Sequence, residues 1–401
     1  MKKFLAVLFC LSLAMFTLAG CGGNDSEEPA ADEGAASGDG IKVGVNYELS
    51  GAVATYGQDS VKGIELAIEE INANGGVNGQ QIELVKLDNK SEATEATSVS
   101  TKLVTQEQVV TILGPATSGN FKATIPVAES NKVPIISASA TAEDVTVSDG
   151  KVYDYVFKTC FSDSYQGAAM AAYASSNLKA TKAVIIKDTS SDYAKGLAEN
   201  FASTFEAAGG SIVGEEGYVS GDTDFNAILT KVKSMDCDVV YLPGYYSEVG
   251  LIIKQARDLG IEAPFMGGDG YDSPTLLELA GAEALNNVYY TNHYSPIDED
   301  EIVTKFQEAF KTKYNADPSA FNALGYDLGY FVADAIERAG AAEPEKIKEA
   351  MASTKDFTGV TGTISIDENH NPIKSIVIIG LENGVPASSE RMEATDIQTA
   401  E

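Results

Sequence analysis

Residues 41–87, IKVGVNYELSGAVATYGQDSVKGIELAIEEINANGGVNGQQIELVKL, decide the fold class. Residues 41–45 are rich in β-branched side chains and read as a strand. Val61, Ile64, Ile68 and Ile71 then recur at helical spacing, and Gly75-Gly76 ends that helix. Residues 82–87 return to a strand. Strand, helix, strand in this order is a βαβ unit, which implies parallel pairing through a right-handed crossover.

The same alternation continues outward. Helices are expected over 94–105 and 120–130, and strands over 109–113 and 134–137. A second series follows Cys160: helix 165–177, strand 183–186, helix 192–208, a strand around Ile212, a further helix, and strand 239–242. Helix 246–259 and a strand opening at Pro264 close it. Long helices at 300–314 and 319–339 come next, then late strands at 364–366 and 376–379. The expectation is α/β, with two doubly wound parallel sheets and a chain that crosses back between two lobes. No period of 20–50 residues appears, so a solenoid is excluded.

The ends read differently. Lys2 and Lys3 precede an apolar run, 4–16, too short to span a bilayer, and this is the pattern of an export signal over 1–20. Leu18-Ala19-Gly20-Cys21 resembles the lipobox of bacterial lipoproteins, which implies lipid on Cys21 and a protein held on the extracytoplasmic face of the cell membrane. Residues 22–40 carry six acids, Pro29 and no base. Such a segment cannot bury enough surface to offset chain entropy, so a disordered tether over 21–40 is expected, with a reach on the order of 24 Å. The polar stretch 387–401 is expected to be a loose tail.

Between the ends lie enough residues for two lobes. The chain has 28 Lys and Arg against 59 Asp and Glu, a formal charge of −31. That balance favours solubility and offers no basic patch for nucleic acid. Cys160 and Cys237 remain after the signal and lipid positions are set aside. They could bridge outside the cell, but their spacing suits no metal, and they read as two buried small residues. His293 and His370 are the only histidines, and both sit in polar, loop-like surroundings. No nucleophile elbow, H-E-x-x-H or Cys-His pair is present, so no catalysis and no cofactor are expected.

Several short pieces, taken in order, carry a resemblance. They are Leu49-Ser50-Gly51 with Tyr56-Gly57, Ala73-Asn74-Gly75-Gly76-Val77-Asn78-Gly79, and Ser137-Ala138-Ser139-Ala140-Thr141. Pro243-Gly244-Tyr245-Tyr246 and Phe265-Met266-Gly267-Gly268-Asp269-Gly270 follow. From about Ile41 to about Gly384 the chain resembles the leucine/isoleucine/valine-binding proteins, of the type I periplasmic-binding fold. The resemblance implies a three-crossover hinge near Cys160, 292–294 and 367–371. An N-lobe of 41–160 plus 294–367 and a C-lobe of 161–293 plus 368–386 would then close on a small amino acid.

Ligands of open α/β sheets sit outside the carboxyl ends of the strands. The loops after Leu113, Ser137, Leu242 and Met266 all lie there. By resemblance Ser118, Ser139 and Thr141 hold the ligand carboxylate and part of its ammonium through hydroxyl and backbone groups, with Ala140 beside them in the site, helped by helix starts that bind anions without a base. Read from the residues alone, Ser118 and Thr141 could equally cap their helices. By the same resemblance Asp269 pairs with the ligand ammonium, where the family more often has Glu. Tyr56, Tyr193, Tyr245 and Tyr326 would form the walls, with Tyr271 a further candidate. A cysteine pair found in some relatives near Asp88 and Ala116 is missing here.

The implied partner is the permease of an ABC importer, and the chain is expected to act as a monomer. Two alternatives stay open. The same fold could bind a short amide, urea or aromatic acid, or could serve as the ligand receptor of a sensor kinase.

Overall fold

Strand β1 (Ile41–Tyr47) is buried along nearly its whole length, and the first sheet is built around it. The structure, a computed structural model, describes residues 40–393 and 397. The export signal, the Cys21 lipid anchor and all of the tether but Gly40 lie outside the described residues. Helix α1 (Ala54–Ala73) returns the chain to β2 (Ile82–Asp88), which pairs in parallel with β1 over their full lengths. Helix α2 (Ala93–Lys102), β3 (Thr111–Leu113), α3 (Ser118–Asn131) and β4 (Ile135–Ser137) follow. A small hairpin of β5 (Val147–Ser148) and β6 (Lys151–Val152) leads to β7 (Val156–Lys158). The sheet runs β2-β1-β3-β4-β7 and is parallel throughout.

The chain then enters α4 (Asp163–Ser176), β8 (Lys182–Asp188), α5 (Asp192–Ala207), β9 (Ser211–Tyr218) and α6 (Asn226–Lys233). Strand β10 (Val239–Tyr241), α7 (Tyr246–Asp258), β11 (Phe265–Gly267), α8 (Pro274–Ala280) and β12 (Val288–Asn292) complete the parallel part of a second sheet. Central strands β3, β4, β10 and β11 are buried at every residue, as expected where helices cover both faces of a parallel sheet.

From Asn292 the chain leaves that sheet for α9 (Glu301–Tyr314), α10 (Ala320–Ala339) and α11 (Pro344–Ala352). Strands β13 (Phe357–Gly359), β14 (Gly362–Ile366) and β15 (Pro372–Ile373) form a small sheet. Then β16 (Ile376–Glu382) and β17 (Val385–Met392) rejoin the second sheet, in the order β17-β16-β12-β11-β10-β8-β9. Both added strands are antiparallel, so this sheet is mixed rather than wholly parallel. The polar stretch from Ala387, expected to be loose, is strand as far as Met392. Its backbone pairs with β16, and that pairing owes nothing to side-chain hydropathy.

Helices α1 and α10 touch backbone to backbone. A Cβ added at Gly63 would meet the Asn322 carbonyl oxygen at 2.0 Å, and one at Gly325 would meet that of Ser60 at 2.0 Å. The start of α10 is fixed by a reciprocal capping box between Ser319 and Asn322. This contact places Phe321 of α10 beside Tyr56 of α1. We predict that Gly325→Ala pushes the two helices apart and costs about 1–3 kcal/mol in urea unfolding. An unchanged midpoint would show that the close approach is not needed.

Candidate functional site

The loops after β3, β4, β8, β10 and β11 deliver their side chains to one tightly closed cavity of only about 10 Å³. Ala116, Thr117, Ser118 and Ser139 line it from the first sheet, and Tyr193, Tyr245, Asp269 and Gly270 from the second. Tyr56 and Phe321 complete the wall from the starts of α1 and α10.

The first side is organised by a carboxylate. Glu48 is fully buried, just past β1. It accepts from the backbone N–H of Ala116 (3.0 Å) and Thr117 (3.2 Å), from the Thr117 hydroxyl (3.0 Å) and from the Asn120 amide (2.8 Å). These four bonds set the turn into α3. That helix has no acidic residue in its first turn and no cap from its own N-cap side chain; the Glu48 carboxylate already meets its start through Thr117 and Asn120, and the first-turn N–H groups from Ser118 on are the ones left for an anion at the cavity. Ser118 does not cap its own helix; its hydroxyl accepts from the Ala142 N–H at 3.1 Å. The Ser139 hydroxyl donates to the Ala116 carbonyl at 2.9 Å.

The second side is organised by Asp269, itself buried. Its Oδ1 accepts from the Tyr193 hydroxyl at 2.8 Å, and its Oδ2 lies 3.4 Å from His293 Nε2. The Gln166 side-chain oxygen accepts from the Asp269 N–H at 3.2 Å and from the Thr291 hydroxyl at 2.6 Å. Burial, and then the Asp269 charge, pushes the Tyr193 phenol well above its ordinary range, so it stays a donor. No Lys or Arg lines the cavity. A buried carboxylate that faces such a space calls for a cation from outside the chain.

Aromatic rings shape what remains. Tyr56 stacks on Phe321 at 4.3 Å between centroids, and Tyr193 stacks on Tyr245 at 5.1 Å. Tyr56 meets Tyr245 edge to face at 5.7 Å, and its hydroxyl donates to the Gly270 carbonyl at 2.5 Å. The first-sheet and second-sheet walls are therefore joined directly across the cavity.

Six expected site residues meet here: Tyr56, Ser118, Ser139, Tyr193, Tyr245 and Asp269. Four do not line the cavity. Tyr326 belongs to the α1–α10 contact, where its hydroxyl donates to Glu70 at 2.7 Å and its ring packs on Phe306 and Tyr330. Tyr271 is a core ring whose hydroxyl donates to the Leu242 carbonyl at 2.8 Å. Ala140 and Thr141 lie buried behind the lining. The Ala140 N–H donates to Ser137, and the Thr141 carbonyl accepts from the Asp163 N–H. The Thr141 hydroxyl lies against the Asp163 carboxyl, which burial pushes well above the usual carboxylate range. Helix capping does not explain Thr141 either, since the short turn beyond it has no side-chain cap.

Sequence reading passed over Ala116, Thr117, Gly270, Phe321 and the organising Glu48. It also misplaced His293, which is not in a polar loop but fully buried against Phe161, with ring centroids 3.7 Å apart. His370 is half-buried, stacked on Phe157. Cys160 and Cys237 are both free; Cys160 is buried and Cys237 only partly so. Among the described residues, no group of three His, Cys, Asp or Glu is placed to hold a metal ion. No helix among them is long and apolar enough to cross a membrane.

Burial pushes the His293 imidazole down from 6.5 to about 4. The unfolded chain therefore takes up this proton first as pH falls. The stability tied to neutral His293 is full above about 6.5 and is lost as pH drops toward 4. Asp272, raised from 3.8 to about 6 by burial, has the opposite slope over 3.8–6. The difference between wild type and His293→Gln therefore carries the test. We expect the wild-type melting temperature to fall more steeply than the variant's between pH 6.5 and 4; parallel curves would contradict the buried neutral ring.

A larger opening of about 490 Å³ lies near Asp59, Lys62, Tyr294 and Pro318. Two of its three acids are paired with lysines. Asp59 pairs with Lys62 at 3.2 Å and with Ser319 at 2.9 Å, and Asp272 accepts from Asn292 at 2.5 Å. Asp317 pairs with Lys311 at 2.7 Å, which leaves Asp272 as the carboxylate of this opening without a cationic partner.

Comparison with known proteins falls on this same frame. A family model described as periplasmic binding protein matches residues 40–385. The leucine-, isoleucine-, valine-, threonine- and alanine-binding protein of Pseudomonas aeruginosa is 33% identical over 331 residues, 82% of this chain and 86% of that protein. A crystal structure of the branched-chain amino acid transporter substrate-binding protein LivJ from Streptococcus pneumoniae, in complex with isoleucine, is 44% identical. It superposes with a TM-score of 0.84 and covers 88% of this chain and 99% of that one. The leucine-binding protein LivK of Thermotoga maritima is 38% identical, with a TM-score of 0.84 over 89% of this chain and all of that one (100%).

Proposed function

The chain belongs to the periplasmic binding protein family, and on that premise we propose that it captures a neutral aliphatic amino acid for an ABC importer. The single observation that carries the ligand class is the cavity's charge layout. The helix start at Thr117 and Ser118 faces it on one side, and Asp269 faces it on the other, with no basic side chain between. A carboxylate fits the first and an ammonium the second, on one small molecule. The aromatic rings between them favour an apolar side chain. Relatives whose names record branched-chain amino acids support the same reading.

Capture proceeds by closure. The first lobe is taken as 41–160 with 294–367. The second is taken as 161–293 with 368–386, extended through β17 to Met392. A ligand gripped from both sides stabilises the closed arrangement by its differential affinity. Contacts that already span the cleft support this. Lys122 pairs with Asp192 at 2.8 Å, the Thr55 hydroxyl donates to the Tyr246 hydroxyl at 3.0 Å, and the Ser247 hydroxyl donates to the Ala52 carbonyl at 3.0 Å. Closed faces would then dock on the permease, with the protein a monomer tethered by lipid on Cys21.

Thermal melting of residues 22–401, stripped of ligand by refolding, tests the assignment against a panel. The panel holds the neutral amino acids, short amides, urea and benzoate. A ligand at about 100 times its Kd adds about 2.7 kcal/mol and stands out. Stabilisation by leucine, isoleucine, valine or another neutral amino acid is expected. Stabilisation by non-amines alone would overturn the ligand class and leave the family unaffected. A smaller effect is expected of Tyr193→Phe, which removes one hydrogen bond to Asp269. Amino-acid binding in calorimetry should weaken by about 0.5–1.5 kcal/mol, and unchanged affinity would remove Tyr193 from the site.

A further inference from the structure

We propose that His293 is the positioning residue that aims the Asp269 carboxylate at the ligand ammonium. This inference rests on the amino-acid reading of the site. His293 comes immediately after β12, where the chain leaves the second sheet. Its backbone N–H is tied to the Asn292 side-chain oxygen at 2.8 Å. The imidazole lies flat on Phe161, with centroids 3.7 Å apart and planes within 10°. Phe161 follows the other passage between the sheets, after β7. The ring is completely buried, and its Nε2 lies 3.4 Å from Asp269 Oδ2.

The hydrogen bonds fix the tautomer. A carboxylate only accepts, so Nε2 must carry the hydrogen. Nδ1 is then a bare acceptor, and it has no partner. An orphaned buried acceptor costs free energy, and a purely apolar side chain would avoid that cost. The retained polar ring acts through its other nitrogen. On the carboxylate, Oδ1 is held by Tyr193, whose oxygen also accepts from the Gly270 N–H at 3.0 Å. With Tyr193 alone, Asp269 could still pivot about that bond. The His293 donor on Oδ2 removes the pivot and fixes the carboxylate plane.

Neutrality of the ring is part of the function. A protonated imidazole would cancel the Asp269 charge and repel an ammonium. Burial against Phe161 keeps it unprotonated. The other charged groups that bear on this cluster are Asp163 and Lys374, both buried. His293 thus supplies a hydrogen bond without supplying a charge.

Calorimetric titration with L-isoleucine tests this on wild type, His293→Leu and His293→Gln. Glutamine places an amide donor near the position of Nε2, and leucine fills the space without one. We expect His293→Leu to weaken L-isoleucine binding by at least about ten-fold, with His293→Gln recovering most of the loss. Equal affinities for all three proteins, or equal losses in both variants, would overturn the positioning role. Should the leucine variant not fold, nitrogen NMR of the wild-type imidazoles decides. With only two histidines the spectrum is simple. His370 should be the Nδ1–H tautomer, since its Nδ1 lies 3.0 Å from the Val156 carbonyl. His293 should be the opposite, neutral Nε2–H tautomer at pH 7. An Nδ1–H form or an imidazolium at His293 would overturn the inference. Wild-type protein that binds no amino acid would overturn the site reading as well, whereas failure of the variants alone overturns only this role.

Discussion

Asp269→Asn should reduce affinity for a neutral amino acid by about 1.5–3 kcal/mol, roughly ten- to one-hundred-fold or more in Kd. The substitution keeps the shape of the side chain and its place beside Tyr193. It removes the negative charge that an ammonium would meet in a cavity without any other ion. It also presents a donor where two donors already converge, Tyr193 on Oδ1 and His293 near Oδ2. Folding should suffer little, because the wild-type carboxylate lacks a cationic partner in the ligand-free chain and its burial already carries a cost. Calorimetry against isoleucine measures the loss, and a melting curve without ligand checks the fold. Full affinity in the variant would mean that the ammonium is held elsewhere.

Glu48→Leu should produce the largest change in stability, about 3–5 kcal/mol, by stranding four donors at once. Ala116 N–H, Thr117 N–H, the Thr117 hydroxyl and the Asn120 amide all converge on this one carboxylate. Leucine matches its bulk and accepts from none of them. The turn into α3 should loosen, and Ser118 with it, so ligand affinity falls together with stability. Urea unfolding measures the first effect and calorimetry the second. Full stability in the variant would show that the turn is held by its backbone alone.

Much of this arrangement is legible in the sequence, for identifiable reasons. Strands such as β1 and β8 are β-branched runs, and helices such as α1 carry an apolar stripe at regular spacing. Local pattern therefore reports them faithfully. Strand β17 escapes this reading because Ser388, Ser389, Glu390 and Arg391 look like a solvated tail. Its order comes from backbone pairing with β16, to which hydropathy is blind. Asp269 and Tyr245 fall in loops at the carboxyl ends of strands, and the family resemblance supplies their roles and that of Tyr193. Tyr326 cannot be placed by sequence position, because the side of α10 it occupies depends on the close backbone contact with α1. Phe321 had a usable signal in Ser319 and Asn322, a capping pair that puts it in the first turn of a helix. Glu48 and His293 had none. Each acts through partners distant in sequence, and only the fold brings those partners together.

The most direct test of the central claim is a calorimetric comparison of L-isoleucine with 3-methylpentanoic acid, the same molecule without its ammonium. The account predicts binding of the amino acid with Kd of about 1 μM or tighter, near −8 kcal/mol, and at least about ten-fold weaker binding of the deaminated acid. Equal affinity for the two would contradict it, since Asp269 would then face no charge on the ligand.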